Sequence, residues 1–253
     1  MSNLPLSSPL SDSNECHGYL PRHVAVIMDG NGRWAQKKNM PRLWGHFRGL
    51  GAVTTTIKAA IEMGIEVLTL YAFSEENWGR PTREIQGIFS LLERYIIKEK
   101  DNLNDKNVRL KVIGNLEKIP VSAFKKVKQV EEQLSENSGL ILNIALSYSG
   151  RNDILKACTE LARSAVEGQL SVDDISPAVF EKFLSTKDLP DPDLLIRTSG
   201  ERRVSNFLLW QLAYAELYFV DILWPDFNQA YFASAIENFS KRCRRFGLVS
   251  EKV

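Results

Sequence analysis

The run Met28-Asp29-Gly30-Asn31-Gly32-Arg33-Trp34 sets an acid, two glycines and an arginine directly after the apolar segment His23 to Ile27. If that segment is a buried strand, the acid stands at its carboxyl end. A carboxylate there can hold Mg²⁺ while the N–H groups of a glycine turn and the guanidinium face a phosphate at the start of the next helix. The same seven residues also suit a plain strand-to-helix turn, with Asp29 as N-cap and the glycines supplying positive φ. The other polar clusters must decide between the two.

A second cluster, Phe73-Ser74-Glu75-Glu76-Asn77-Trp78-Gly79-Arg80-Pro81, brings hydroxyl, amide, indole and guanidinium groups together. Taken alone it reads as a solvated loop, the commoner fate of such segments. A third, Arg197-Thr198-Ser199-Gly200-Glu201-Arg202-Arg203-Val204-Ser205-Asn206, sets three arginines beside hydroxyls and interrupts apolar sequence on both sides. Arginine forks match phosphate oxygens, so this cluster reads as an anion site. Arg42 and His46 follow the first cluster, and His46 is the titratable group nearest to that site, where a protonated imidazole or an N–H donor would help. Glu216 lies within the apolar run Ala215 to Phe219. A buried carboxylate must meet an arginine or a metal, and an arginine of the third cluster would bring it to the same place.

The elements needed to position these groups can be read from periodicity. Apolar runs at Val24–Met28, Ile65–Phe73, Val108–Ile113, Leu140–Leu146, Leu194–Arg197 and Leu217–Ile222 alternate with helical stretches. The pattern predicts an α/β domain with a mostly parallel six-stranded sheet flanked by helices. Helices are expected at Gly45–Met63, Thr82–Asp101, Val121–Asn137, Asn152–Gly168, Pro177–Ser185 and Gln229–Arg245. In such sheets ligands bind beyond the carboxyl ends of the strands, where Asp29, Ser74 and Arg197 all fall.

Composition narrows the options. The 253 residues are 44% hydrophobic with a formal net charge of +1, enough for a sizeable core and without the basic excess of a non-specific nucleic-acid binder. Cys16, Cys158 and Cys243 are scattered, which argues against a disulfide framework or a structural zinc site and suits a reducing cytosol. The Ser/Asn/Pro-rich start has neither a basic n-region nor a long apolar h-region, and no run reaches the roughly 20 apolar residues of a membrane span. The absence of a GxxxxGK[ST] loop and of a GxSxG elbow argues against a P-loop nucleotidase and a serine hydrolase. The acidic stretch Asp188 to Asp193, with two prolines, reads as a turn.

In order, the strings MDGNGRWA, PRLWGH, YAFSEENWGRP, LIRTSGERRVSNFLLWQ and AELYFVDILWPDF resemble the cis-prenyltransferases, and within them the bacterial undecaprenyl diphosphate synthases, from about Pro21 to Gly247. The paired DDxxD motifs of the all-helical trans-prenyltransferases are absent. The resemblance implies one cis-prenyltransferase domain over 21–247; the Ser/Asn/Pro-rich composition of 1–20 predicts a flexible tail there, and 248–253 is expected as a C-terminal tail. It implies a cytoplasmic homodimer that uses Mg²⁺ and adds isopentenyl diphosphate successively to farnesyl diphosphate, with transient membrane contact for product release and no nucleic-acid partner. The product would be undecaprenyl diphosphate, the lipid-carrier precursor for cell-wall synthesis.

By the same resemblance, Asp29 is the catalytic acid and binds the metal, with Glu216 joining the metal shell. Gly30, Asn31, Gly32 and Arg33 hold the allylic diphosphate with Arg42, His46 and Arg80, and Trp34 lies against the prenyl chain. Ser74, Glu75 and Glu76 border the reacting centre, with Asn77 at the position linked to proton removal and Trp78 beside it. Arg197, Arg203, Val204 and Ser205 form the clamp for isopentenyl diphosphate. Two positions depart from the family. Arg202 stands where His is common and cannot ligate Mg²⁺, and Glu75 stands where a second Ser is common. The prenyl chain is expected between the Thr82 helix, through Ile88, Phe89, Leu92 and Ile96, and the strand carrying Leu140, Leu142 and Ile144, with Leu140 near the floor. The competing readings are a catalytically silent partner subunit, which should lack Asp29 or the arginine clamp, and a Mg²⁺-dependent phosphohydrolase, which needs a further acid beside Asp29.

Overall fold

All five residues of His23–Ile27 (β1) are buried, as a strand covered on both faces requires. In the computed structural model, which describes residues 19–242, β1 lies inside a six-stranded sheet with Val67–Ser74 (β2), Arg109–Ile113 (β3), Ile141–Tyr148 (β4), Leu194–Arg197 (β5) and Glu216–Phe219 (β6). The strand order is β3-β4-β2-β1-β5-β6 and every pairing is parallel. The expected α/β class holds, with the sheet parallel throughout. After β2 the chain moves outward to β4 and β3, and it returns to the other side of β1 for β5. The carboxyl end of β1 is therefore the switch point, where a crevice opens.

Helices Asn31–Lys37 (α1), Arg42–Glu62 (α2), Thr82–Asp105 (α3), Val121–Gln133 (α4), Gly150–Val166 (α5), Pro177–Glu181 (α6) and Gln229–Ser240 (α7) cover the sheet. Alternation along the strands divides the core. Val24, Val26, Leu68, Leu70, Leu142 and Ile144 pack towards α2, α3, α4 and α7, while Ala25, Ile27, Tyr71, Ala145 and Leu195 pack against Tyr148, Phe207 and Leu208. Two expectations change. Asn31 to Trp34, read as part of a phosphate turn, already belong to the helix α1, and α2 begins at Arg42, three residues before Gly45, because Pro41 fixes an extended N-cap. The expected tails, the end of the last helix at Arg245, Cys16 and Cys243 lie wholly or mostly outside the described residues. Cys158 is a free, exposed thiol.

A polar string crosses the middle of the sheet. His23 Nδ1–H donates to the Pro190 carbonyl at 2.7 Å, and His23 Nε2 accepts from Thr69 Oγ1 at 2.7 Å, which also accepts from Asn143 Nδ2 at 3.1 Å. Burial pushes the His23 imidazole down to about 4, so it is neutral in this arrangement.

Candidate active site

Asp29 is pinned through its backbone. Its N–H donates to Thr198 Oγ1 at 2.9 Å, the Thr198 hydroxyl donates to its carbonyl at 2.7 Å, and the Trp224 N–H reaches the same carbonyl at 3.0 Å. Gly30 follows with φ +107°, and a Cβ there would stand 2.8 Å from Leu223 Cδ2, so only glycine fits this turn. Gly30, not Asp29, is the N-cap of α1, and it makes no side-chain cap. The carboxylate is thereby free of the plain turn role and aims at arginines: Oδ2 lies 2.9 Å from Arg197 Nη2 and 3.1 Å from Arg33 Nη2. Burial pushes the Asp29 carboxyl up, but hydrogen bonds from Arg197 and Ser199 with the charges of Arg33 and Arg197 outweigh it and hold it below the usual carboxylate value. Asp29 is ionised, between one arginine from each of two clusters.

On one side of Asp29 the cations converge on Glu84, in the first turn of α3. Its carboxylate is 3.0 Å from Arg42 Nε, 3.4 Å from His46 Nε2 and 3.4 Å from Arg80 Nη1, and its side chain is only 9% exposed. The Arg42 guanidinium lies over Gly32, where a Cβ would come within 2.5 Å of its Cζ. Burial, then the charge of Arg80, push His46 down to about 4. The neutral imidazole donates Nε2–H to Glu84, and the expectation of a protonated imidazole gives way to that of an N–H donor. Glu84 was not among the expected site residues. In sequence it is an ordinary helix-start acid; Arg80 lies four residues before it, but only the packing of α2 against α3 brings Arg42 and the neutral His46 to it.

On the other side, Arg197 is 3% exposed, and its Nη1 donates to Ser205 Oγ at 2.7 Å and to the Arg203 carbonyl. The loop that wraps it is strained: Ser199, Ser205, Asn206 and Leu208 all have positive φ, a conformation that costs energy outside glycine and clusters at ligand sites. Asn206, the last residue of the third cluster though not among the expected site residues, ties this loop to its neighbours by donating to Glu76 Oε1 at 2.7 Å and Ser149 Oγ at 2.8 Å. Arg203 is exposed and ion-paired to Glu201, which also binds Arg33 at 3.0 Å.

These groups border a polar pocket of about 690 Å³, lined by Asp29, Gly30, Asn31, Gly32, Arg33, Arg42, His46, Ser74, Glu76, Asn77, Arg80, Arg197, Arg203 and Ser205, with Tyr71 and Asn206. Asn77 also closes its own turn, accepting the Ser74 N–H through Oδ1 at 3.3 Å. Beneath the pocket a narrow apolar cavity of about 110 Å³ runs between α2 and α3 over Leu70, Leu142 and Ile144. The two spaces share Met28, Asn31, His46 and Ala72.

Five expected site residues are not brought to either space. Trp34 is buried and donates Nε1–H to Asp226 Oδ1 at 2.8 Å. Trp78 donates to Ser147 Oγ at 2.9 Å and stacks on Phe89, so it supports the Ser74–Arg80 loop from below. Glu75 turns outward to Lys118 and Asn152. Val204 packs into the core on the Phe207 side. Glu216 opens β6 opposite Leu194, at the amino edge of the sheet, and pairs with Arg242 at 2.6 Å instead of a third-cluster arginine. The expectation that Glu216 shares a metal shell with Asp29 is therefore not met within this chain. Of the residues expected to flank a prenyl chain, Ile88, Leu92, Ile96, Leu142 and Ile144 line the cavity. Phe89 instead stacks in the core, and Leu140 is buried just before the first residue of β4, one step deeper than Leu142 on the same face. Leu50 and Val53 of α2 and Tyr95 of α3 complete the wall.

Residues 27–247 match the family model described as "Putative undecaprenyl diphosphate synthase". The chain belongs to the undecaprenyl diphosphate synthase family and is a cis-prenyltransferase. It is 49% identical over 228 residues to the ditrans,polycis-undecaprenyl-diphosphate synthase ((2E,6E)-farnesyl-diphosphate specific) of Haemophilus influenzae, covering 90% of this chain and 95% of that one. It is 46% identical to the isoprenyl transferase of Bacillus subtilis, covering 91% and 88% of the two chains. Among solved structures, the lavandulyl diphosphate synthase of Lavandula x intermedia in complex with dimethylallyl diphosphate superposes with a TM-score of 0.88 at 34% identity, over 90% of this chain and 98% of that one. A probable undecaprenyl diphosphate synthase of Campylobacter jejuni gives 0.75 at 33% identity, over 91% and 99%. Membership in this family also excludes the phosphohydrolase reading.

Proposed function

We propose that this cis-prenyltransferase condenses isopentenyl diphosphate successively onto farnesyl diphosphate to make undecaprenyl diphosphate. The supporting observation is the junction of the polar pocket and the apolar cavity at Met28, Asn31, His46 and Ala72. A ligand seated there needs an anionic head and a long apolar tail. The H. influenzae relative named for farnesyl diphosphate supports that choice of starter.

In this reading the allylic diphosphate lies across Gly30, Asn31, Gly32, Arg33, Arg42, His46 and Arg80, and isopentenyl diphosphate is clamped by Arg197, Arg203 and Ser205. Asp29, ion-paired to Arg33 and Arg197, fixes the two subsites relative to each other, so the reacting carbons approach without a search. The isopentenyl double bond forms the new C–C bond to the allylic C1, the C1–O bond breaks and diphosphate leaves. A proton is then lost from isopentenyl C2. The guanidiniums stabilise charge developing on the departing diphosphate. Asn77 is a neutral amide and no base, so it orients the reacting centre while a diphosphate oxygen takes the proton.

Among the described residues no group of three or more His, Cys, Asp or Glu side chains could hold a metal. One carboxylate beside a diphosphate pocket nonetheless suits Mg²⁺, which is commonly held by one or two carboxylates with substrate phosphates and water. Asp29 would hold it, and the ion would supply further neutralisation of the leaving diphosphate. The proposed assembly is a homodimer. In support, β6 is a half-exposed edge strand with Leu217 38% and the preceding Tyr214 71% exposed. The proposed setting is the cytoplasmic face of the membrane that receives the product. Diphosphate release, measured with farnesyl diphosphate in the presence and absence of isopentenyl diphosphate, tests the reaction. Release that needs both substrates is expected; release from farnesyl diphosphate alone would indicate hydrolysis and contradict the proposal.

A further inference from the structure

The corner where α1 meets α2 carries an apolar surface with unneutralised cations around it. Met40 is 44% exposed, Leu43 36%, Trp44 51% and Phe47 51%. Trp44 and Phe47 meet edge to face with centroids 5.8 Å apart, and positions 43, 44 and 47 fall on one side of the helix. Scattered exposed apolar residues need no explanation, but a contiguous group of large ones does. From Gly30 to Ile61 the chain has six Lys or Arg and no Asp or Glu, although its overall formal charge is only +1. Arg33 and Arg42 are paired with acids of the pocket, and Lys58 with Glu62. Lys37, Lys38 and Arg48, from the end of α1 and the first half of α2, are exposed, with Lys38 Nζ over the Trp34 ring at 5.0 Å.

This surface adjoins the seam over the cavity. Leu43 packs on α3 at Gly87, where a Cβ would come within 2.6 Å of its Cδ1. Two to three turns along α2, Leu50 and Val53, and within about a turn and a half along α3, Ile88 and Leu92, wall the cavity itself. Aromatic rings with an apolar body suit the headgroup level of a bilayer, and Lys or Arg beside them are drawn to anionic lipid. No described helix is long and apolar enough to cross a membrane, so contact through this corner is peripheral. We propose that the α1–α2 corner is the face by which the protein docks on an anionic bilayer. Docking there turns the α2–α3 seam, and the cavity under it, towards lipid. The second point rests on the reaction proposed above; the docking itself does not.

Flotation of the full chain with vesicles of phosphatidylcholine, alone or mixed with phosphatidylglycerol, at low and high ionic strength, tests the proposal. Binding to the anionic vesicles is expected, falling as salt screens the cations. The Lys37→Gln/Arg48→Gln variant should bind these vesicles more weakly by about fivefold per cation removed. Trp44→Ser/Phe47→Ser should weaken binding at both ionic strengths while leaving diphosphate release unchanged. Failure of the parent to bind, or variants that bind as tightly as the parent, would overturn it. So would a change of oligomeric state in Trp44→Ser/Phe47→Ser by light scattering, which would make the face a contact between protein chains. Lost flotation with intact substrate-dependent release strikes the docking alone, whereas intact flotation without release strikes the reaction.

Discussion

Under α2 and α3 the sheet faces an open cavity of aliphatic side chains, whereas its other face is closed by Tyr71 stacked on Phe207 at 4.2 Å and by a buried carboxylate network. In that network Asp153 accepts from Tyr148 Oη at 3.0 Å, the Ser185 N–H at 3.1 Å and Ser185 Oγ at 2.9 Å, with Gln211 Nε2 at 3.5 Å. Buried polar groups with all their partners specify one arrangement; aliphatic contacts between two helices can shift. The closed face carries the strained loop that holds Arg197, and the open face carries the apolar cavity. In the proposed reaction the same six strands would supply a diphosphate clamp on one side and room for a growing chain on the other, with Asp29 at the seam.

The largest expected effect is at that seam. Asp29→Ala should leave the circular-dichroism spectrum unchanged and lower turnover by at least about 10²-fold, the scale of losing one charge-stabilising group. Turnover within a few-fold of the parent would separate the two subsites from Asp29. On the clamp side, Arg197→Ala should raise KM for isopentenyl diphosphate about 10- to 100-fold, as expected for a charge-assisted contact of about 1.5–3 kcal/mol. The allylic KM should move much less, and equal shifts in steady-state kinetics would show the subsites to be exchanged or merged. Asp153→Ala should sharpen the contrast by striking stability instead: about 3 kcal/mol lost in urea unfolding, with both KM values near those of the parent.

A smaller effect links the two faces to pH. His23 and His46 are held neutral, each pushed down to about 4 from 6.5, by burial in the first case and by burial and Arg80 in the second. Below pH 6.5 the unfolded chain takes up these protons and the folded chain does not, so stability falls with pH until about 4. Each histidine contributes up to about 1.4 kcal/mol per pH unit in that window. His23→Asn should remove about half of this slope in urea titrations between pH 7 and 4.5. An unchanged slope would mean that other groups carry the acid sensitivity.

The carboxyl-edge loops were legible because turn chemistry, glycine placement and arginine clustering are local. The sheet was legible because buried parallel strands are short apolar runs. What distant residues decide was not. Trp34 and Trp78 look like ligand-facing aromatics until Asp226 and Ser147 claim their indole N–H groups. Glu84 gathers Arg42 and the neutral His46 beside its local partner Arg80 only through helix packing. For Glu216 a signal existed: a strand expected from Leu217 places the residue before it at the amino edge, away from Asp29. The cavity wall contributed by α2 was not foreseen, because an amphipathic helix alone does not distinguish a cavity-lining Leu50 or Val53 from packed core.

Whether the open face receives the prenyl chain, as proposed, is read most directly from the length distribution of extracted polyprenols. Leu140→Ala would deepen the floor below Leu142, and Ile88→Trp would narrow the wall on α3. Longer products are expected from the first and shorter ones from the second, with the rate of the first addition little changed. Unchanged lengths from both folded, active variants would contradict it.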